Sequence, residues 1–134
     1  MTRVADESRR AYDMIERIET LERVAATLPD QDERRLALLD LVEKDLASAH
    51  PFRPRIAAEV LDLSEKTVRA WTQEGVLTRA AGPSSRVLLD VQRVHQVLRR
   101  VTELRAAGKT VGMFDEVQRR LVDATLPAAT TSMS

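Results

Sequence analysis

The sequence predicts a mostly α-helical chain whose only sheet is a two-stranded ribbon. Three observations carry that prediction. Apolar residues recur at helical spacing over four long stretches, cap residues stand at the start of most of them, and Pro or Gly closes most of them. At 134 residues the chain suits one domain, or a compact domain with a helical extension.

The first stretch, about Arg3 to Leu28, lacks Gly and Pro. Val4, Ala11, Ile18 and Ala25 recur every seven residues, and Met14, Leu21 and Leu28 follow the last three of them at a spacing of three. These are a and d heptad positions, with Glu7 spoiling one d site. Pro29-Asp30 ends the helix, and Asp30 with Glu33 reads as a capping box for the next, about Gln31 to Ala49. That second helix carries Leu36, Leu38, Leu39, Leu41, Val42 and Leu46, a wider apolar face than a two-stranded seam needs. Residues 1–50 are therefore expected to form a helical hairpin that packs on itself and offers a surface for dimerisation.

Pro51 and Pro54 punctuate a short linker, and Gly82-Pro83-Ser84-Ser85 is the clearest turn. Asp90 caps a long helix with Val91, Val94, Val97, Leu98, Val101 and Leu104 on one face, ended by Gly108. A last amphipathic helix is expected from Gly112 to Thr125, within a C-terminal segment 110–126, and residues 127–134 read as a disordered tail.

The net charge is zero, with 21 basic and 21 acidic residues, but the charges are segregated. Residues 1–50 hold 8 basic and 12 acidic side chains, residues 51–110 hold 11 and 6, and the remainder holds 2 and 3. A basic middle between acidic flanks suits a segment that meets phosphates. With 0 cysteines, disulfides, thiolate nucleophiles and cysteine-ligated metals are excluded. The charged opening Met1-Thr2-Arg3-Val4-Ala5-Asp6-Glu7 does not read as a signal peptide, and no apolar run approaches the ~20 residues that cross a bilayer. A cytoplasmic, nucleoid-associated protein is expected.

The informative string runs from Arg55 to Trp71. Ala57-Ala58 supply small residues where a second helix crosses, Asp62 tolerates a left-handed turn, and Leu61 and Leu63 bury on either side of it. Ser64 caps the second helix. Val68 and Trp71, three apart, face inward, and Glu65, Lys66, Arg69 and Ala70 face outward. Such a helix can enter a major groove N-terminus first, with Ser64 and the positive dipole end near phosphate. Lys66 and Arg69 have the reach and charge for guanine or phosphate, and Glu65 can accept from cytosine. Leu77-Thr78-Arg79 and Arg86-Val87-Leu88 then form the two-stranded wing, with Arg79 and Arg86 suited to backbone or minor-groove contact.

The order of helix, turn, Ser64-x-x-Thr67-Val68-Arg69-x-Trp71, Glu74-Gly75-Val76-Leu77, wing, Asp90 and helix resembles the MerR-type winged helix-turn-helix and its excisionase-like relatives. The resemblance covers residues 56–109, within an expected reading unit of 51–109. It implies DNA contacts from Ser64, Lys66, Thr67 and Arg69, a core role for Trp71, and wing contacts from Arg79 and Arg86. The chain departs from the family in lacking the usual wing aromatic, a cysteine metal sensor and a sizeable effector domain. Ligand-gated activation by DNA distortion is therefore not implied.

Other motifs have plainer readings. Gly108-Lys109-Thr110 resembles the end of a phosphate loop, but Glu103 stands where the first Gly is needed, so a helix C-cap is expected. His50 and His95 have no ligand-spaced partners, and His95 reads as an edge residue. Asp115-Glu116 complements a helix dipole, and Ser84-Ser85 has no base nearby. No enzyme activity, cofactor or metal is expected. The chain reads as a sequence-specific DNA-binding regulator, with double-stranded DNA contacted by Arg55, Ser64, Glu65, Lys66, Thr67, Arg69, Arg79 and Arg86, and as a homodimer. Two rival functions fit the same pattern. One is an antitoxin or adaptor clamping a protein partner through the N-terminal hairpin or C-terminal helix and autoregulating through DNA. The other is an excisionase-like architectural binder.

Overall fold

The computed structural model describes residues 3–82, 86–109 and 112–121, with side chains from residue 5 onward. The protein is mostly helical: α1 (Arg3–Ala25), α2 (Glu33–Ser48), α3 (Pro54–Leu61), α4 (Glu65–Gln73) and α5 (Val91–Ala106). A sixth helix, α6, covers residues 113–121. Pro83, Ser84, Ser85 and the tail 127–134 lie outside the described residues, as do residues 122–125 of the expected last helix.

α1 buries Ala11, Ile15, Ile18 and Ala25, while Met14 and Leu21 are half-buried. The expected seam is thus broadened by Ile15, because α1 packs on α3 as well as on α2. The side chain of Val4 lies outside the described residues. The helix stops three residues short of Leu28. Its last carbonyls are taken by tight i→i−3 bonds, Thr27 N to Val24 O and Leu28 N to Ala25 O, both 3.0 Å. Arg35 of α2 then donates to the Leu28 carbonyl at 3.1 Å and pairs with Asp30 at 3.3 Å, which closes the hairpin.

The expected cap of α2 needs correction. Asp32, not Asp30, is the N-cap, and it accepts from the Arg34 amide at 2.8 Å. The Arg34 guanidinium returns to the same carboxylate at 3.0 and 2.7 Å, and these side-chain and backbone bonds hold the Asp32 carboxyl down at about 2. Asp30 is committed to Arg35 instead. On α2 Val42 and Leu46 are buried, but Leu36 and Leu41 are 53% and 50% exposed. The broad apolar face is therefore only partly covered within one chain.

The expected wing is reduced. Among the described residues no strand forms; two isolated antiparallel bridges converge on Leu89, one from Phe52 and one from Arg79. Phe52 and Leu89 exchange backbone bonds of 3.0 and 2.7 Å, and Ala80 N to Leu88 O (2.8 Å) with Asp90 N to Thr78 O (2.9 Å) flank the other pair. At its base the ladder has no room to lengthen. Val76 and Leu77 are tied to the Trp71 carbonyl at the end of α4, and Asp90 already caps α5 through the Gln92 amide at 3.2 Å.

α5 is the central element. Val91, Val94, Val97, Leu98, Val101 and Leu104 are all buried, as their spacing predicts. It ends at a left-handed Gly108 (φ +77°), with Gly108 N to Arg105 O at 3.0 Å and Lys109 N to Leu104 O at 2.9 Å, a Schellman arrangement. Gly108-Lys109 is thus a C-cap. His95, expected at an edge, is only 6% exposed and meets Glu22 of α1 at 3.1 Å, with Arg99 3.6 Å from the same carboxylate. α6 buries Val117 and Leu121 and sets Phe114 against Trp71, ring centroids 5.8 Å apart. Glu116, expected to serve the α6 dipole, also gathers Arg119, Arg120 and Lys109. Against desolvation, which raises its pKa, the bond to Arg120 and these charges hold it below its usual value.

Candidate functional site

α3 and α4 are short, and their sequence explains how they cross. Pro54 sits in the first turn of α3, where its missing N–H costs nothing. Ala57 and Ala58 are buried, small enough for the two axes to approach. α3 ends at Asp62 in the left-handed region (φ 55°, ψ 50°), the sole non-glycine residue with positive φ among those described. Leu63 N then bonds back to the Ala58 carbonyl at 3.0 Å. The Asp62 bend and the Ser64 start both match the sequence expectation.

Ser64 opens α4. Its hydroxyl oxygen accepts from the Thr67 amide at 3.1 Å and lies 2.8 Å from the Thr67 hydroxyl. Val68 and Trp71 are buried, which fixes the rotation of the helix, so Glu65, Lys66, Arg69 and Ala70 lie on the exposed side. Trp71 is 6% exposed, in the core as expected.

Arg69 is not loose. Its Nε and Nη2 donate to one oxygen of Glu65 at 3.1 and 2.9 Å, an i, i+4 pair along the outer face. The side chains of Lys66, Arg55 and Arg79 make no hydrogen bond or ion pair among the described residues. The α4 start therefore presents a capped helix N-terminus, one ammonium and one guanidinium braced by a carboxylate. Chemically, such a surface donates hydrogen bonds to anions and to flat acceptor groups.

Of the expected contact residues, Ser64, Glu65, Lys66, Thr67 and Arg69 come together on the first two turns of α4. Arg55 is exposed at the start of α3, and Arg79 is exposed on the bridge to Leu89. Arg86 is exposed too, but it lines a groove against α1 with Glu7 and Arg10.

The residues that hold this site in place have no local sequence signature. Arg105 of α5 donates to the carbonyls of Leu61 and Asp62. Arg93 donates to the Val76 carbonyl at 2.8 Å and fixes the chain leaving α4. From α1, Ser8 and Tyr12 donate to the Glu59 carboxylate and carbonyl at 2.6 and 2.8 Å, and Glu7 pairs with Arg53 at 3.1 Å, bracing α3 from behind. Each joins residues far apart in the chain, where periodicity gives no hint.

Among the described residues no three His, Cys, Asp or Glu side chains could share a metal ion, and no helix is long and apolar enough to cross a membrane. No family model matches the chain, and no curated protein or solved structure matches it.

Proposed function

We propose that α3, the Asp62 turn and α4 form the reading head of a winged helix-turn-helix, and that the protein is a sequence-specific DNA-binding regulator. The observation that supports this most directly is the outer face of α4. A serine-capped helix start projects Lys66 and Arg69 into solvent, while Val68 and Trp71 anchor the opposite side. In the major groove the α4 N-terminus faces a phosphate, Lys66 takes backbone oxygens and Arg69 reads a guanine edge. The bridged segments around Arg79 and Leu89 serve as a much-shortened wing, in keeping with the resemblance of Ser64 to Leu77 to the MerR type.

A dimer supplies the second reading head that specificity at a promoter requires. The exposed Leu36 and Leu41 of α2 favour the N-terminal hairpin as the contact surface. A protein partner at the same hairpin is the competing use of these leucines. α6 is less suited to it, since Val117 and Leu121 are already buried against the core.

Genome-wide binding followed by a salt titration on the recovered sites tests the proposal. Affinity should fall steeply with salt at defined sequences, and Arg69→Ala should weaken the preference for them. Binding that is absent at low salt, or is indifferent to both Lys66→Ala and Arg69→Ala, refutes it.

A further inference from the structure

We infer that the outer face of α2 pairs antiparallel with α2 of a second copy, in a register that sets Leu36 of each chain against the partner's Leu41. The inference rests on the dimer reading above and gives it a geometry. Four large apolar side chains are exposed among the described residues, and two of them, Leu36 and Leu41, stand on α2. Val42 and Leu46 are buried on the opposite side of that helix. At about 3.6 residues per turn, Leu36 and Leu41 lie about 140° apart around the axis, with Glu33, Ala37, Asp40 and Lys44 between them. All six are exposed, so the face is continuous along most of α2.

Symmetry and charge fix how two such faces meet. Around a two-fold axis every contact occurs twice. A parallel pair would bring Glu33 to the partner's Glu33 and Lys44 to the partner's Lys44. An antiparallel pair whose axis passes between Leu38 and Leu39 does the reverse. Glu33 and Lys44 lie equally far from that point on opposite sides, as do Leu36 and Leu41, and Ala37 and Asp40. The two-fold therefore sets Glu33 against the partner's Lys44, Leu36 against the partner's Leu41, and the small Ala37 against the partner's Asp40. Glu33 has no hydrogen-bond or ion-pair partner for its side chain among the described residues. Lys44 is bound to Asp40 at 2.9 Å on this same face. Each Asp40 thus reaches the seam with its own counter-ion, which offsets the approach of the two Asp40 carboxylates near the axis, and each Asp40–Lys44 pair extends to the partner's Glu33.

One helix pair is a small interface, so a dissociation constant on the order of 10 µM is expected. The two-fold that relates the helices also relates the two copies of α4, as a palindromic DNA site requires.

The test is sedimentation equilibrium of the full chain without DNA, at concentrations on either side of that value. Leu36→Ala and Leu41→Ala should each weaken the dimer about tenfold or more. Glu33→Lys and Lys44→Glu should each weaken it about five- to tenfold, because each sets like charges together twice. An equimolar mixture of those two variants should recover wild-type association as a heterodimer, since both cross-chain pairs are again opposite in sign. Glu19→Lys, an exposed change on α1, should leave association unaltered. Circular dichroism melts establish that each variant is folded. A monomer at every concentration overturns the inference together with the dimer reading. A dimer that is indifferent to both leucine variants, or charge variants whose mixture associates no better than either alone, overturns this pairing and leaves the dimer standing. A chain that pairs in this register yet binds no DNA refutes the reading head alone.

Discussion

The guanidinium of Arg105 donates to the carbonyl of Asp62 at 2.8 Å and, through its other terminal nitrogen, to that of Leu61 at 2.9 Å. α5 thereby holds the turn between α3 and α4 by a two-pronged clamp on carbonyls that the end of α3 leaves without helical partners. Arg105→Ala should lower unfolding stability by about 2 kcal/mol, the range for hydrogen bonds from a charged donor. Arg105→Lys should recover little of it, because an ammonium cannot span two carbonyls in a plane. Urea unfolding of the three proteins gives the comparison.

Asp62 accepts a left-handed backbone that glycine adopts without a Cβ penalty. Asp62→Gly should raise stability by up to about 1 kcal/mol, and Asp62→Val should lower it by roughly 1–2 kcal/mol. Ser64→Ala, which removes the acceptor for the Thr67 amide, should cost about 1 kcal/mol. Thermal melts separate all three.

DNA binding by the reading head predicts unlike effects for its two outer cations. Lys66→Ala should weaken binding evenly across sequences and reduce the salt slope by about 1, whereas Arg69→Ala should cost about 1–3 kcal/mol at the preferred site and flatten preference at one base pair. Fluorescence anisotropy on cognate and scrambled duplexes at several salt concentrations distinguishes the two.

The Asp32 carboxyl titrates near 2 when folded, below its ordinary 3.8, because Arg34 binds it twice over. Depression of a carboxyl means that its contribution is complete above pH 3.8 and is lost as pH falls toward 2. Asp32→Asn keeps an N-cap without the charge. Its melting temperature should lie below that of the wild type at neutral pH, and the gap should close near pH 2.

Trp71 is the single tryptophan, and Phe114 of α6 is tilted against it. Phe114→Ala should shift its emission to the red and cost about 2 kcal/mol, less than a fully buried Phe because Phe114 is half-exposed. An unchanged spectrum would mean that α6 leaves this position in solution.

The features legible in the sequence are local. The α5 face, its Asp90 and Gly108 ends, the Asp62 bend and the Ser64 cap each depend on a few neighbouring residues, and each stands where the pattern put it. The sequence points to Asp30 as the cap of α2, but Arg35 takes that carboxylate and Asp32 accepts the Arg34 amide in its place. The wing is short at its base because Val76 and Leu77 bond to the Trp71 carbonyl and Asp90 caps α5. The second partner of Leu89, Phe52, comes from nearly forty residues upstream, beyond any local window. For the site, the outward residues of α4 were legible from the Val68–Trp71 spacing. Arg105, Arg93 and Glu59, which hold α3, its turn and the exit of α4 in position, act across the chain and carry no periodic signal.

The Glu65–Arg69 pair has a consequence for redesign. Glu65, Lys66, Arg69 and Ala70 bond to one another or point into solvent, and α4 is anchored by Val68 and Trp71 alone among its central residues. The four outer positions are therefore a cassette. Their identities can be shuffled in a library while the scaffold beneath stays intact, so the recognition proposed for α4 can be rewritten without asking the protein to fold anew.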